Sequence, residues 1–299
     1  MRSCLPALAL FLGALAAFAA PPAPASTTTP VAAWASEDYV FPQRSPWASV
    51  QQTIGTTVIA IDYHRPAVRG RPIWGSLVPY GQVWRAGANE ATTIRFSDTV
   101  RIHDHEVKAG TYALFLIPRA DLWTVILNRR AKQWGAFEYD PRQDVLRFDV
   151  KPRPASYTEW LTYALDPTSD STAYVQLFWD RLKVSFLVEV DVEHIVSARM
   201  NRLFAQHPGS WKVYSEAAEY GLMQTIPLSQ AITWADRSLA LQKNPTNLAV
   251  KARLLHEAGQ RSRSQALMEQ ALQLARARKA SPVVTGPLEK DLAYWKQGG

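Results

Sequence analysis

Between residues 45 and 191, runs rich in β-branched and aromatic residues recur every 8–15 residues, and no segment with helical period separates them. That pattern is the strongest constraint on the fold. Parallel strands need a long crossover, usually a helix, between successive strands, whereas antiparallel strands need only turns. The runs fall at 48–53, 56–63, 92–97, 99–103, 111–117, 122–128, 144–150, 158–164, 172–179 and 182–190, punctuated by Gly, Pro, Asn and Asp. In the second run Ile59, Ile61 and Tyr63 share one face, and Val58, Ala60 and Asp62 share the other. The run TYALFLI at 111–117 is apolar on both faces, which predicts a central strand covered from both sides. Residues 45–191 therefore read as an antiparallel β-sandwich or jelly-roll-like domain.

After Asp191 the apolar period lengthens to that of helices, near 192–206, 211–220, 228–241, 245–258, 262–278 and 286–296. Two of these stretches superpose at an offset of 33 residues, Ser264 on Ala231, Met268 on Ala235 and Leu272 on Leu239. The small residues let paired helices approach closely, and the pattern resembles a tetratricopeptide repeat. One or two copies are too few for a long solenoid, so residues 192–299 are expected to form a small all-α repeat domain that caps the sandwich or dimerises. The fold class is then α+β, a β domain followed by a helical one.

The chain starts with a basic Met1-Arg2, an apolar stretch over 5–19 and an A-x-A pattern at Ala17-Phe18-Ala19, with a second at Ala23-Pro24-Ala25. This has the form of a secretory signal peptide, removed at or before residue 25 and followed by a Pro/Ser/Thr-rich linker over 26–44. The expected destination is the periplasm or the exterior, with no integral span after cleavage. The sole cysteine, Cys4, precedes the apolar stretch, so the signal is not of the lipoprotein kind. The mature chain would carry no thiol, which excludes disulfides, cysteine nucleophiles and cysteine-held metals. Residues 192–299 hold 14 Lys/Arg against 8 Asp/Glu, while residues 3–191 hold 18 of each, so the basic excess lies in the helical part. Behind an export signal this points away from nucleic acid. It fits a solvated helix surface, an acidic protein partner met through 192–299, or an anionic lipid surface.

One stretch breaks the strand rhythm. Residues 64–89, HRPAVRGRPIWGSLVPYGQVWRAGAN, carry four arginines, and Trp74, Tyr80 and Trp84 argue for packing. This stretch and its neighbours contain a Y-x-R-P-x-x-x-G-R element from Tyr63, V-P-Y-G-x-x-W-R-x-G-A-N from Val78, A-G-T-Y from Ala109 and Q-W-G-A from Gln133. With these four elements, residues 44–190 resemble the bacterial domain of unknown function 2911 family. The resemblance implies an exported bacterial protein, often with a helical repeat after the domain, and implies no activity. The chain departs from the family pattern at His64, where a small polar residue is more usual, and at His103-Asp104-His105.

The candidate ligand-binding residues are Tyr63, Arg65, Arg71, Tyr80, Trp84, Arg85 and Asn89, with Glu90 beside them. Arginine offers a planar donor fork for carboxylate or phosphate, and the aromatic faces suit a sugar ring. The structural alternative is a self-stapled loop in which the arginines bind carbonyls. His64 and Glu90 could pair as a general base, which would suit a metal-independent hydrolase or lyase, although no nucleophile elbow accompanies them. His103 and His105 are spaced to point to one side of a strand and are weak metal candidates, but Lys108 stands where a further carboxylate would be needed, and a polar hairpin tip fits better. Trp123, Trp134, Trp160 and Trp179 lie in or beside strand runs and are expected in the core. No glycine-rich phosphate loop or HExxH is present, and no cofactor is called for. The leading expectation is an exported module binding a small polar or anionic, sugar-like ligand. The alternatives are an envelope interaction scaffold using the helices, and the hydrolase or lyase.

Overall fold

A computed structural model describes residues 41–223 and 226–297, so the expected signal peptide and the linker before residue 41 lie outside the described residues. The described residues form ten strands followed by six helices, an α+β arrangement. One sheet contains β1 (Trp47–Ile54), β2 (Thr57–His64), β3 (Thr93–Phe96), β6 (Gly110–Ile117), β7 (Trp123–Asn128) and β8 (Asp144–Val150), hydrogen-bonded in the order β1-β2-β3-β6-β7-β8. The other contains β4 (Val100–Ile102), β5 (His105–Val107), β9 (Arg153–Pro167) and β10 (Thr172–Glu189), in the order β5-β4-β10-β9. Every pairing is antiparallel.

The inner faces of the two sheets share one core, with Ile59, Ile61, Leu114 and Val125 from the first and Leu161, Val175, Leu177 and Val188 from the second. Strand β6 shows why its run lacks alternation. Tyr112, Leu114 and Leu116 belong to this core, whereas Ala113, Phe115 and Ile117 join a second cluster with Val83, Ala136 and Tyr139 on the opposite side. A covering segment thus hides the outer face of the central strand, as the double-sided apolar pattern requires.

Two details depart from the expected strands. The runs at 172–179 and 182–190 are one strand, β10, because Asp180 (φ 54°) forms an irregularity with register shifts on either side. The polar Asp180 and Arg181 sit in a bulge rather than a turn. Strand β5, only three residues long, follows a two-residue turn in which His103 and Asp104 take φ values of 48° and 63°. This tight turn has the left-handed geometry favoured in two-residue hairpins. His103-Asp104-His105 is therefore a hairpin tip, and strand alternation does not carry both imidazoles to one side.

The helices are α1 (Val192–Gln206), α2 (Trp211–Met223), α3 (Leu228–Leu241), α4 (Pro245–Glu257), α5 (Arg261–Ala277) and α6 (Pro282–Lys296), the last starting earlier than its periodicity indicated. Proline at a first-turn position costs a helix nothing, since the missing N–H has no intrahelical partner there. The 33-residue offset places Ala231 and Ala235 of α3 on Ser264 and Met268 of α5, all four buried. Helices α2 and α3 touch where Gly221 meets Ala231, and a Cβ on Gly221 would lie 2.5 Å from the Ala231 Cβ. Asn244 and Asn247 form a capping box at the start of α4, and Asn247 Nδ2 donates to Ser238 Oγ (3.0 Å), tying α4 to α3. No helix among the described residues is long and apolar enough to cross a membrane.

Helix α1 is fixed to the sandwich. Its Ile195 joins the sandwich core, and Arg199 Nη2 donates to both Asp98 carboxylate oxygens at 2.8 Å. Farther along, the Phe204 ring stacks on Tyr214 of α2 at 4.6 Å. Desolvation alone would raise the Asp98 pKa, but hydrogen bonds from Ser97, Arg199 and Thr57 and the Arg199 charge together hold it below the usual value. A carboxyl depressed in the folded state stabilises above the unfolded-state pKa, about 3.9, and loses that contribution as pH falls through and below that value. The Asp98→Asn variant is therefore expected to melt below wild type at pH 7, with the gap narrowing as the pH falls below about 4 toward the lowered folded-state pKa. A gap of constant size in paired melts would contradict this role for the carboxylate charge.

Candidate functional site

The long segment after β2 joins both sheets. Toward β9, Val68 N donates to Glu159 O (2.8 Å) and Leu161 N donates to Pro66 O (2.9 Å). Toward β6, the Trp84 and Leu116 backbones exchange hydrogen bonds of 2.7 and 2.9 Å, extending the sheet where β3 ends. Its Ile73, Val78 and Ala86 are core residues, and its Trp74 and Trp84 pack with Trp123 and Trp179.

This packing commits several of the expected ligand-binding groups to the fold. Arg65 Nε donates to Leu161 O (2.9 Å) and its Nη2 to Thr162 Oγ1 (2.6 Å). Arg71 Nε and Nη2 donate to Val68 O (3.0 Å) and Ala67 O (2.6 Å). Tyr63 OH accepts from Tyr163 N (3.2 Å), and the two rings meet edge-on. Burial, with the nearby Tyr63, raises the Tyr163 phenol well above its usual pKa, so its hydroxyl stays protonated and donates to Ala86 O (2.9 Å). Trp84 Nε1 donates to Gly87 O (3.1 Å). Tyr80, expected to pack with the two tryptophans, is instead surface-exposed over Gly75.

The remaining groups gather on another side of the segment. Asn89 (φ 55°) directs its amide nitrogen toward His64 Nδ1 (3.1 Å), Gln43 Oε1 (3.3 Å) and Ser45 O (3.4 Å). His64 Nε2 lies 2.8 Å from Glu90 Oε2. The Nε2 contact with Glu90 is one of distance alone, without hydrogen-bond geometry, and Nδ1 lies 3.0 Å from the Ser45 carbonyl as well as beside the Asn89 amide. Residues 133–135 back this group. Ala91 N donates to Gln133 O (3.0 Å), Gly135 N donates to Asn89 O (3.1 Å), and Glu90 forms a bridge with Trp134. Gly135 takes φ 62°, which favours glycine, and a Cβ there would crowd the Phe137 ring at 3.1 Å while meeting Arg85 Nη1 at an ordinary 3.8 Å.

Arg85 differs from Arg65 and Arg71. Its Nε is buried without a hydrogen-bond partner, and it joins no ion pair among the described residues. Burial lowers its pKa from the usual arginine value, with no carboxylate charge opposing the shift. Gln133 Oε1 is likewise buried without a donor. Trp134 and Phe137, at 54% and 84% exposed, stand on the same segment. The expectation that Trp134 is core is thereby corrected, because it lies in a connecting segment rather than a strand. Trp160, at 38% exposed, points outward from β9, whereas Trp123 and Trp179 are buried as expected. Gln133 and Gly135 stand out in the sequence only within the Q-W-G-A element, and spacing alone does not connect that element to Arg85.

His103 stacks on Phe148 at 4.6 Å, and His105 Nδ1 lies 2.6 Å from the His103 carbonyl. Among the described residues no group of three or more His, Cys, Asp or Glu stands together as a metal site. Three clefts lie outside the 64–89 segment. One of about 850 Å³ lies between β4, β5, β10 and α1, one of about 580 Å³ beside β8, β9 and β10, and one of about 170 Å³ among α2, α4 and α6. Val283 and Tyr294 of α6 are exposed apolar side chains.

Residues 45–188 match the model of a family described as "Protein of unknown function (DUF2911)". No curated protein and no solved structure matches the chain.

Proposed function

We propose, for a chain that belongs to the DUF2911 family through its residues 45–188, that it is an exported binding module for a small, carboxylate-bearing, sugar-like ligand held at Arg85. The observation that carries this reading is the half-buried Arg85 guanidinium, whose Nε has no acceptor and which has no counter-ion among the described residues. A desolvated cation without a partner is costly, and a ligand carboxylate would relieve that cost through a bidentate, charge-assisted contact. Glu90 would supply an acceptor for a hydroxyl group, and Trp134 a flat apolar face for a sugar ring. Export rests on the form of the first 25 residues.

The test is a thermal-shift screen of the mature chain against sugars, sugar acids, phosphates and divalent metals. Sugar acids are expected to raise the melting temperature and the corresponding neutral sugars to do so far less. A screen in which no carboxylate-bearing compound shifts the melt would sink the reading.

The His64–Glu90 contact favours a second reading, a metal-independent hydrolase or lyase with His64 as general base. It ranks lower because Nε2 faces Glu90 while Nδ1 faces Asn89 and Ser45, leaving neither ring nitrogen free for a substrate proton. Turnover of activated esters or glycosides that is lost in Glu90→Gln would reverse this order.

A further inference from the structure

We propose that the cleft beside β8, β9 and β10 is an anion-binding site that takes a phosphate or diphosphate group, using residues distinct from those around Arg85. The cleft encloses about 580 Å³, a size ordinary for small-molecule sites. Arg153 of β9 and Lys183 of β10 line it and stand directly opposite each other in the antiparallel ladder. Like charges in that position repel and destabilise the sheet. Lys151, two residues before Arg153, adds a third cation, and His103 lies at the margin with its ring against Phe148. None of the three Lys/Arg cations takes part in an ion pair among the described residues. The Lys183 ammonium lies over the Phe178 ring at 5.8 Å, which positions it while leaving its N–H donors free.

The single carboxylate in the lining, Asp149, already accepts from Thr124 Oγ1 at 2.7 Å. Tyr174, Gln176 and Ser185 of β10 complete the wall with polar groups able to donate to oxygen. The larger cleft next to α1 makes the contrast. It is lined by charges too, but Arg101 is paired with Glu189, Lys108 with Glu106 and Arg199 with Asp98, and its remaining guanidinium, Arg202, shares the lining with two further carboxylates, Asp104 and Asp191. An excess of cations over carboxylates, not volume, distinguishes the smaller cleft. A group with two negative charges and several oxygens engages two of its cations at once and removes the cross-strand repulsion. A phosphate ester, a diphosphate and a phospholipid headgroup share that chemistry.

The test is calorimetric titration of the mature chain with sodium pyrophosphate at low salt, beside cosedimentation with phosphatidylglycerol or phosphatidylcholine vesicles. Pyrophosphate is expected to bind, with Arg153→Gln and Lys183→Gln each weakening it by about tenfold or more. The double variant Arg278→Gln/Lys290→Gln, on the helical surface, should leave binding unchanged. Ligand-free Lys183→Gln should melt at or above wild type, because a repulsive pair is removed. Binding only to phosphatidylglycerol vesicles, lost in the same two variants, would support the site and assign the phosphate to lipid. Absence of both kinds of binding overturns the proposal. So does equal weakening by the helical double variant, which would mark an effect of net charge alone.

Discussion

Trp179→Ala is expected to cost the β domain about 3–5 kcal/mol. Trp179 is 1% exposed, stacks on Trp84 at 5.8 Å and meets Trp74 edge-on at 5.6 Å. Trp74 in turn packs against Trp123 at 4.7 Å. The four rings come from β10, from β7 and from the long segment between β2 and β3, so they join the two sheets to the segment that carries Arg85. The indole nitrogens of Trp74 and Trp179 have no acceptor among the described residues, so the loss is one of ring packing and cavity formation rather than of a hydrogen bond. Against a total stability of about 5–15 kcal/mol for an ordinary domain, such a loss is a large share of the whole. Trp179→Phe keeps part of the ring volume and should retain more than half of what the alanine variant loses. Urea titrations followed by near-ultraviolet circular dichroism provide the measurement. A loss below about 1 kcal/mol in the alanine variant would mean that the cage is not what holds the segment to the sheets.

The parts of this fold that were legible in the sequence are those in which burial follows a short period. Ile59, Ile61 and Tyr63 announced their shared face by alternation, the unbroken apolar run at 111–117 announced a strand covered on both sides, and Ala231, Ala235, Ser264 and Met268 announced theirs by their offset. Strand β5 escaped because three residues, His105–Val107, are too few to show a period. The bulge at Asp180 escaped because a polar interruption reads the same whether the chain turns or merely loses register. The site was harder for a different reason. A sequence shows that an arginine has five donors but not what they meet. Arg65 finds the carbonyl of Leu161 and Arg71 those of Ala67 and Val68, while Arg85 finds none for its Nε. Composition alone made the three alike, and tertiary contacts separate them. His64 and Glu90 flank the same segment and stand 2.8 Å apart, yet the contribution of residues 133–135 depended on backbone bonds that no spacing revealed.

That separation gives the second large effect, which is opposite in sign for two arginines of the same segment. In the ligand-free protein Arg85→Met should be neutral or stabilising. It replaces a desolvated, unpartnered cation by an apolar chain of similar volume, and removing such a charge leaves nothing buried without a partner. Arg65→Met should instead cost about 1–3 kcal/mol, because the Leu161 carbonyl and the Thr162 hydroxyl lose their donor. Ligand reverses the order. At 100 times its dissociation constant a bound compound stabilises wild type by about 2.7 kcal/mol, and Arg85→Met should lose nearly all of that while Arg65→Met keeps it. Melting curves of the three proteins, with and without the best sugar acid, distinguish the cases. If Arg85→Met lowers the ligand-free melt as much as Arg65→Met does, then Arg85 is one more staple of the fold. A ligand shift that survives in Arg85→Met would move the binding site elsewhere on the molecule.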